Sequence, residues 1–199
     1  MQDYSVPSQA PSRLLGKGHT LRSLLLALLL PATLVGCDSA TDETVVLSGI
    51  RAGFDFEFDG SDLTVGQLQD LASTAALSIE TQLANQGGFS LDEIETARLS
   101  SASIELVQPT FVGSGIDLRF LNEVVLQLRS GSTVREVASR VGFTDEEPAD
   151  LNVIQGRDIA GILRAGSFSA VLQVEPGALQ NTGYDLEVVL SFTVEVAGI

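Results

Sequence analysis

Several residue types are scarce or missing in this chain, and each absence excludes a kind of chemistry. The 199 residues include one cysteine, one methionine, one histidine and no tryptophan. The histidine and the only lysine lie near the amino terminus, so residues 38–199 contain no histidine, lysine or cysteine. That region therefore has no Ser-His-Asp triad, no cysteine nucleophile and no zinc site built on cysteine or histidine. A single cysteine also excludes a disulfide within the chain.

Positive charge is scarce beyond residue 37. Three of the 11 basic residues and one of the 26 acidic residues precede residue 38, which leaves 8 − 25 = −17 for residues 38–199. A surface so acidic is repelled by phosphate backbones, so we expect no nucleic-acid partner. No P-loop, complete G-x-G-x-x-G or G-x-S-x-G motif occurs in this region.

Apolar residues alternate with polar ones at a period of two, which is typical of strands with one buried face. The longest run is at the carboxyl end, where apolar residues from Tyr184 to Val196 alternate with polar ones. Ser130-Gly131-Ser132 predicts a hairpin between two of the strands. The other predicted strands are 54–58, 102–106, 122–129, 133–141 and 168–174.

Helical signals are fewer. Ser90 and Glu93 have the spacing of a capping box, which predicts a short helix after Ser90. Apolar spacings of three and four indicate a helix that ends at Gly87-Gly88, and an extended segment is the alternative there. The predicted helical spans are 65–85, Leu91–Ala97 and Asp158–Leu163.

These elements predict a mainly β fold: an antiparallel β-sandwich of about seven strands with one or two short helices, over residues 45–199. The length suits one domain, and no internal repeat is present. Each predicted strand has one apolar face and one polar face, a pattern that favours antiparallel sheets with one solvated side.

The first 36 residues have the pattern of a secretory leader. Three basic residues precede an apolar run from Leu24 to Val35, which contains Pro31. A membrane-spanning helix needs roughly 20 apolar residues, and this run is shorter. The pattern therefore predicts a cleaved signal peptide over residues 1–36. The long segment before the apolar run leaves open a start codon downstream of Met1.

The leader ends in Leu34-Val35-Gly36-Cys37, which resembles the lipobox of bacterial lipoproteins. This resemblance implies cleavage between Gly36 and Cys37 and acylation of the Cys37 thiol with a diacylglyceryl group. Two acyl chains anchor a protein stably, at about 0.8 kcal/mol per buried CH₂. Residues 37–44 would then form the acylated cysteine and an acidic tether. The implied location is the bacterial cell envelope, with the lipid bilayer as partner, the outer membrane favoured and the leaflet left open.

A second resemblance concerns the predicted domain. The segment Leu91-Asp92-Glu93-Ile94-Glu95, which leads into the strand Leu99–Val107, is similar to segments of uncharacterised β-sandwich envelope lipoproteins. It implies the same sandwich fold and assigns no site.

Clustered carboxylates are the only candidates for a metal site. The first cluster begins like an EF-hand loop, but its third position is Glu57 and its twelfth is Gly66 instead of the bidentate glutamate. Alternation with phenylalanines favours a strand there, with the carboxylates facing water. For the second cluster, a solvated acidic loop is favoured over a bound cation. The weak calcium candidates are Asp55, Glu57, Asp59, Asp145, Glu146 and Glu147.

The function predicted from these observations is a non-catalytic binding or structural module of the envelope, with no cofactor and no catalytic residue. Its partner beyond the bilayer is an unknown protein or glycan. Two alternatives stay open: a glycosidase-like hydrolase that uses two carboxyls, and a calcium-stabilised surface adhesin.

Overall fold

The computed structural model describes residues 43–73, 79–108, 117–179 and 182–198. All the described residues belong to one compact unit, residues 40–199. The predicted signal peptide, Cys37 and the tether up to residue 42 lie outside the described residues.

Strands dominate the described part of the chain. Seven of the nine strands there have four or more residues, in agreement with the prediction of about seven. The strands are β1 (Thr44–Asp59), β2 (Gln69–Ala72), β3 (Ile94–Gln108), β4 (Leu121–Ser130), β5 (Thr133–Val141), β6 (Ala149–Asp150), β7 (Asn152–Val153), β8 (Ser169–Pro176) and β9 (Gly183–Ala197). The α-helices are α1 (Ile79–Gly87) and α2 (Ala160–Leu163), and 3₁₀ turns span Gly60–Asp62, Leu91–Glu93 and Leu118–Phe120.

The strands form two antiparallel sheets, which confirms the predicted sandwich. Sheet A has the order β1-β9-β3-β6, and sheet B has the order β2-β8-β4-β5-β7. Their inner faces share one hydrophobic core, which includes the fully buried Phe54, Phe56 and Phe192. No polar or charged residue of the described segments is buried. The core is therefore apolar, and the polar residues of each strand lie on the outer faces.

The strand β9 is central to sheet A. It pairs with β1 over Thr44–Asp59 and with β3 over Ile94–Gln108. Its burial alternates without interruption, because every second residue from Tyr184 to Val196 is apolar and points into the core, whereas the residues between them, all polar except Val189, point outward. The predicted hairpin is confirmed as well, since β4 and β5 pair across Ser130 and Thr133.

The span 65–85 is neither one helix nor wholly extended. Its first part contains β2, and its second part is helix α1. In α1, Ile79 and Leu83 are buried, whereas Val65 and Leu68 are exposed. The helix ends as predicted: Gly88 has a φ of 77°, and its N–H donates to the Ala84 carbonyl at 2.8 Å.

The predicted helix Leu91–Ala97 was wrong in length. The Glu93 carboxylate does accept from the Ser90 N–H at 2.6 Å and from the Ser90 hydroxyl at 2.9 Å. However, only a 3₁₀ turn follows, because β3 begins at Ile94 and pairs with β9 there. Long-range sheet pairing overrides the local signal for helix.

The side chain of Gln82 covers part of the free edge of β1. Its Nε2 donates to the Arg51 carbonyl at 2.6 Å, and its Oε1 accepts from the Arg51 N–H at 2.8 Å. The amide therefore supplies the two bonds that a neighbouring strand would make, and it ties α1 to the strand that carries Arg51.

Candidate functional site on the outer face of sheet A

Five carboxylates lie on the outer face of sheet A toward one end of the sheet. Asp55 lies directly opposite Glu187, and Glu187 lies opposite Glu105 on its other side. Glu57 lies opposite Asp185. We call these five residues the acidic end. Like charges directly opposite one another destabilise a sheet, so this arrangement of carboxylates has a cost in stability.

Asp185 is a partly buried residue of the acidic end. Burial raises the pKa of its carboxyl, and repulsion from Asp55 and Glu57 raises the pKa further. The Oδ1 atom of Asp185 is buried and has no hydrogen-bond partner within the described part of the chain. The folded state therefore binds a proton at Asp185 more readily than the unfolded chain does.

This raised pKa leads to a pH-dependent prediction. The favourable contribution of protonated Asp185 is fully present below its ordinary pKa of 3.8 and is lost as the pH rises through the raised value. Asp185→Asn should therefore stabilise the protein by about 1 kcal/mol at pH 7, the scale of like-charge pairs in sheets, and by nothing near pH 3. Urea unfolding of both proteins at the two pH values measures this difference.

The matched control is Glu136→Gln on sheet B, because Glu136 faces the neutral Gln127 on the neighbouring strand. This control should show no such pH-dependent gain. Equal gains from Asp185→Asn at pH 7 and pH 3 would contradict the repulsion.

The first group of predicted candidates lies on β1. Asp55 and Glu57 are exposed there, and the neighbouring phenylalanines are buried, as expected for a strand. Asp59 ends the strand, where its Oδ1 accepts from the Ser61 hydroxyl at 2.6 Å and from the Ser61 N–H at 2.8 Å. These two bonds lower the pKa of Asp59. This carboxylate therefore stabilises a turn in a segment that is a strand and not an EF-hand loop.

The second group lies in the loop between β5 and β6. The pKa of Glu147 is raised, mainly by burial and further by repulsion from Asp117 and Glu105. The Leu118 N–H donates to the carboxylate and offsets part of this increase. The negative charge of Asp145 instead helps to raise the pKa of the Arg119 guanidinium, and Glu146 is exposed. The fold thus brings Glu147 close to the acidic end through Glu105.

These carboxylates form a row and do not converge. Within residues 43–73, 79–108, 117–179 and 182–198, no three aspartate, glutamate, histidine or cysteine residues are grouped so that they could hold a metal ion. Neighbouring strands in a sheet project their side chains side by side, which separates the carboxylate oxygens.

One shallow depression lies beside the acidic end on the outer face of sheet A, and a second adjoins it at the β3–β6 edge of the sheet, next to β7 of sheet B. One has a volume of about 280 Å³, and its lining includes Arg51, Ser103, Ser191 and Glu187. The other has a volume of about 380 Å³ and is lined by residues of β3 and of the segment 150–155. Ser101 lines both, so we treat them as one transverse groove. A third depression of about 440 Å³ lies over Glu57, Asp59 and Asp185.

The sequence predicted only that Glu105 lies on the polar face of one strand and that Asp185 and Glu187 lie on the polar face of another. Their juxtaposition depends on the register of β9 against β1 and β3, which no local motif encodes. The serines of the groove belong to no sequence motif. The one available sequence signal for the acidic end was the carboxylates at alternate positions in the strands β1, β3 and β9.

Comparisons with models of protein families, with curated proteins and with solved structures found no match. Among the helices that the structure describes, none has the length and apolar character needed to cross a membrane.

Proposed function

We propose that this chain is a lipid-anchored module of the bacterial envelope that binds a partner and catalyses no reaction. The observation that carries this proposal is the position of Cys37. The only cysteine of the chain directly follows an apolar leader, within a sequence that resembles a lipobox, and precedes an acidic segment and the first strand.

The chemistry of the domain supports binding without catalysis. Residues 38–199 lack the histidine, lysine and cysteine that serve most often as bases and nucleophiles. Hydrogen-bonding side chains line the outer face of sheet A, and such surfaces are suited to recognising a partner.

A carboxylate-dependent hydrolase is a second candidate, and one pair of residues favours it. Asp185 has a raised pKa, as a general acid requires, and Glu57 lies directly opposite it. Prolonged incubation with cellotriose and triglucosamine followed by chromatography distinguishes the two candidates. A binding module leaves both trisaccharides intact, whereas a hydrolase releases shorter sugars and loses this activity in Asp185→Asn.

The anchoring itself is tested by Cys37→Ser. The native chain should incorporate a labelled fatty acid and sediment with membranes, because two acyl chains hold it there. The variant should lose the label entirely and leave the membrane fraction. Ser39→Ala, two residues further on, is the matched control and should behave like the native chain. Labelling that persists in Cys37→Ser would refute lipidation at this residue.

A further inference from the structure

We propose that the transverse groove on sheet A binds a linear glycan that carries no negative charge. This inference rests on the proposed function, because it names the ligand class of the same binding face. The groove crosses β1, β9, β3 and β6, which are neighbours in the sheet. Three inter-strand spacings span about 14 Å, a length that suits a short linear oligosaccharide.

The hydrogen-bonding groups of the groove are free to bind a ligand. Six polar side chains in it make no hydrogen bond or ion pair with any described residue: Ser101, Ser103, Ser191, Asp150, Asn152 and Gln155. Serine hydroxyls and the asparagine and glutamine amides each donate and accept hydrogen bonds. The hydroxyls of a glycan have the same dual capacity, so successive sugar units find complementary groups along the groove.

The charges in the groove select against anions. Among the described residues that line it, Arg51 is the only cation, whereas Glu105, Glu187 and Asp150 are carboxylates. Sugar hydroxyls, and amino groups more strongly, donate to these carboxylates in charge-assisted hydrogen bonds. A polyuronate would meet a net negative surface and be repelled.

An extended peptide fits the groove less well than a glycan. Strand addition needs a long free sheet edge, but here the two-residue strand β6 covers the edge of β3, and the Leu151 N–H donates to the Ala102 carbonyl at 2.9 Å. Helix docking needs apolar anchor pockets, and the accessible apolar side chains among the described residues of the groove are limited to Pro148, Val153 and Val189. The groove thus lacks both common modes of peptide recognition.

The test uses the full chain, purified from membranes in detergent and labelled with ¹⁵N. It is titrated separately with cellotriose, triglucosamine, trigalacturonate and trilysine while amide shifts are recorded. Cellotriose and triglucosamine should shift the amides of Ser101, Ser103 and Asn152, and trigalacturonate should not. Ser101→Leu fills the point that both depressions share and should weaken binding about tenfold or more.

Two further variants keep this test decisive. Thr193→Leu is the matched control, since Thr193 lies on β9 on the same outer face, beyond both depressions, and it should bind like the native chain. Asn152→Leu, at an exposed position, should weaken binding as Ser101→Leu does and replaces it if that variant fails to fold.

Three results would overturn the glycan proposal. They are the absence of shifts with both non-anionic sugars at millimolar concentration, shifts confined to residues away from the groove, and binding of trilysine in place of the sugars. Failure here is distinct from failure of the anchoring proposal. A chain that carries fatty acid on Cys37 and ignores both sugars keeps its anchor and loses only this ligand.

Discussion

Phe192→Ala should lower the free energy of unfolding by about 3–5 kcal/mol, because it removes a large aromatic side chain from the centre of the core. Phe192 is fully buried on β9, and its register partners are Ile50 on β1 and Leu99 on β3. A cavity at this point loosens the pairing of three strands at once. Domains of this size have only about 5–15 kcal/mol of stability, so this loss is a large fraction of the total.

Urea unfolding followed by circular dichroism measures the effect of Phe192→Ala. The matched control is Val46→Ala on β1, where the side chain is 60% exposed, so this change should cost less than about 0.5 kcal/mol. A loss below about 1 kcal/mol for Phe192→Ala would mean that β9 is not the central strand of a packed sandwich.

The second large effect is expected at Asp158, whose Oδ1 joins two parts of the fold. It accepts from the Ala97 N–H of β3 at 2.9 Å and from the Ala160 N–H of α2 at 3.0 Å. Asp158→Ala leaves both donors without this acceptor, and one of them is the N–H of the first residue of α2. We expect a loss of about 2 kcal/mol in the free energy of unfolding at pH 7.

Asp158→Asn is the matched control, since it keeps an oxygen acceptor and loses only the charge. It should cost less than half as much as Asp158→Ala. Burial raises the pKa of Asp158, but the two backbone bonds, helped by Arg164 and Arg98, outweigh it and hold the pKa below 3.8. The penalty of the alanine variant is therefore present above pH 3.8 and shrinks as the pH falls through the lowered value. Equal losses for the two variants at pH 7 would contradict the role of the acceptor.

The parts of the fold that local patterns encode were predicted well. Alternation with a period of two identified β1 around Phe54–Phe58 and the long β9, because a half-buried strand must alternate. The hairpin at Gly131 follows from its short turn, and Gly88 ends α1 in the left-handed conformation that glycine favours. Each of these features depends on residues only a few positions apart.

The parts that depend on distant pairing were not predicted. The segment after Ser90 has a good capping box, yet β9 recruits it into sheet A at Ile94. The acidic end exists only because Asp55 pairs with Glu187, a residue far away in the sequence. A one-residue shift of the register would turn these carboxylates to opposite faces of the sheet. The transverse groove arises in the same way, since Ser101 and Ser191 become neighbours only when β3 and β9 pair.

The measurement that decides between an anchored module and an ordinary exported domain is mass spectrometry of the amino-terminal peptide from the protein isolated from membranes. An anchored module has Cys37 as its first residue, with a mass increase that corresponds to a diacylglyceryl group on the thiol. A first residue other than Cys37, or a free thiol at Cys37, would contradict the proposal.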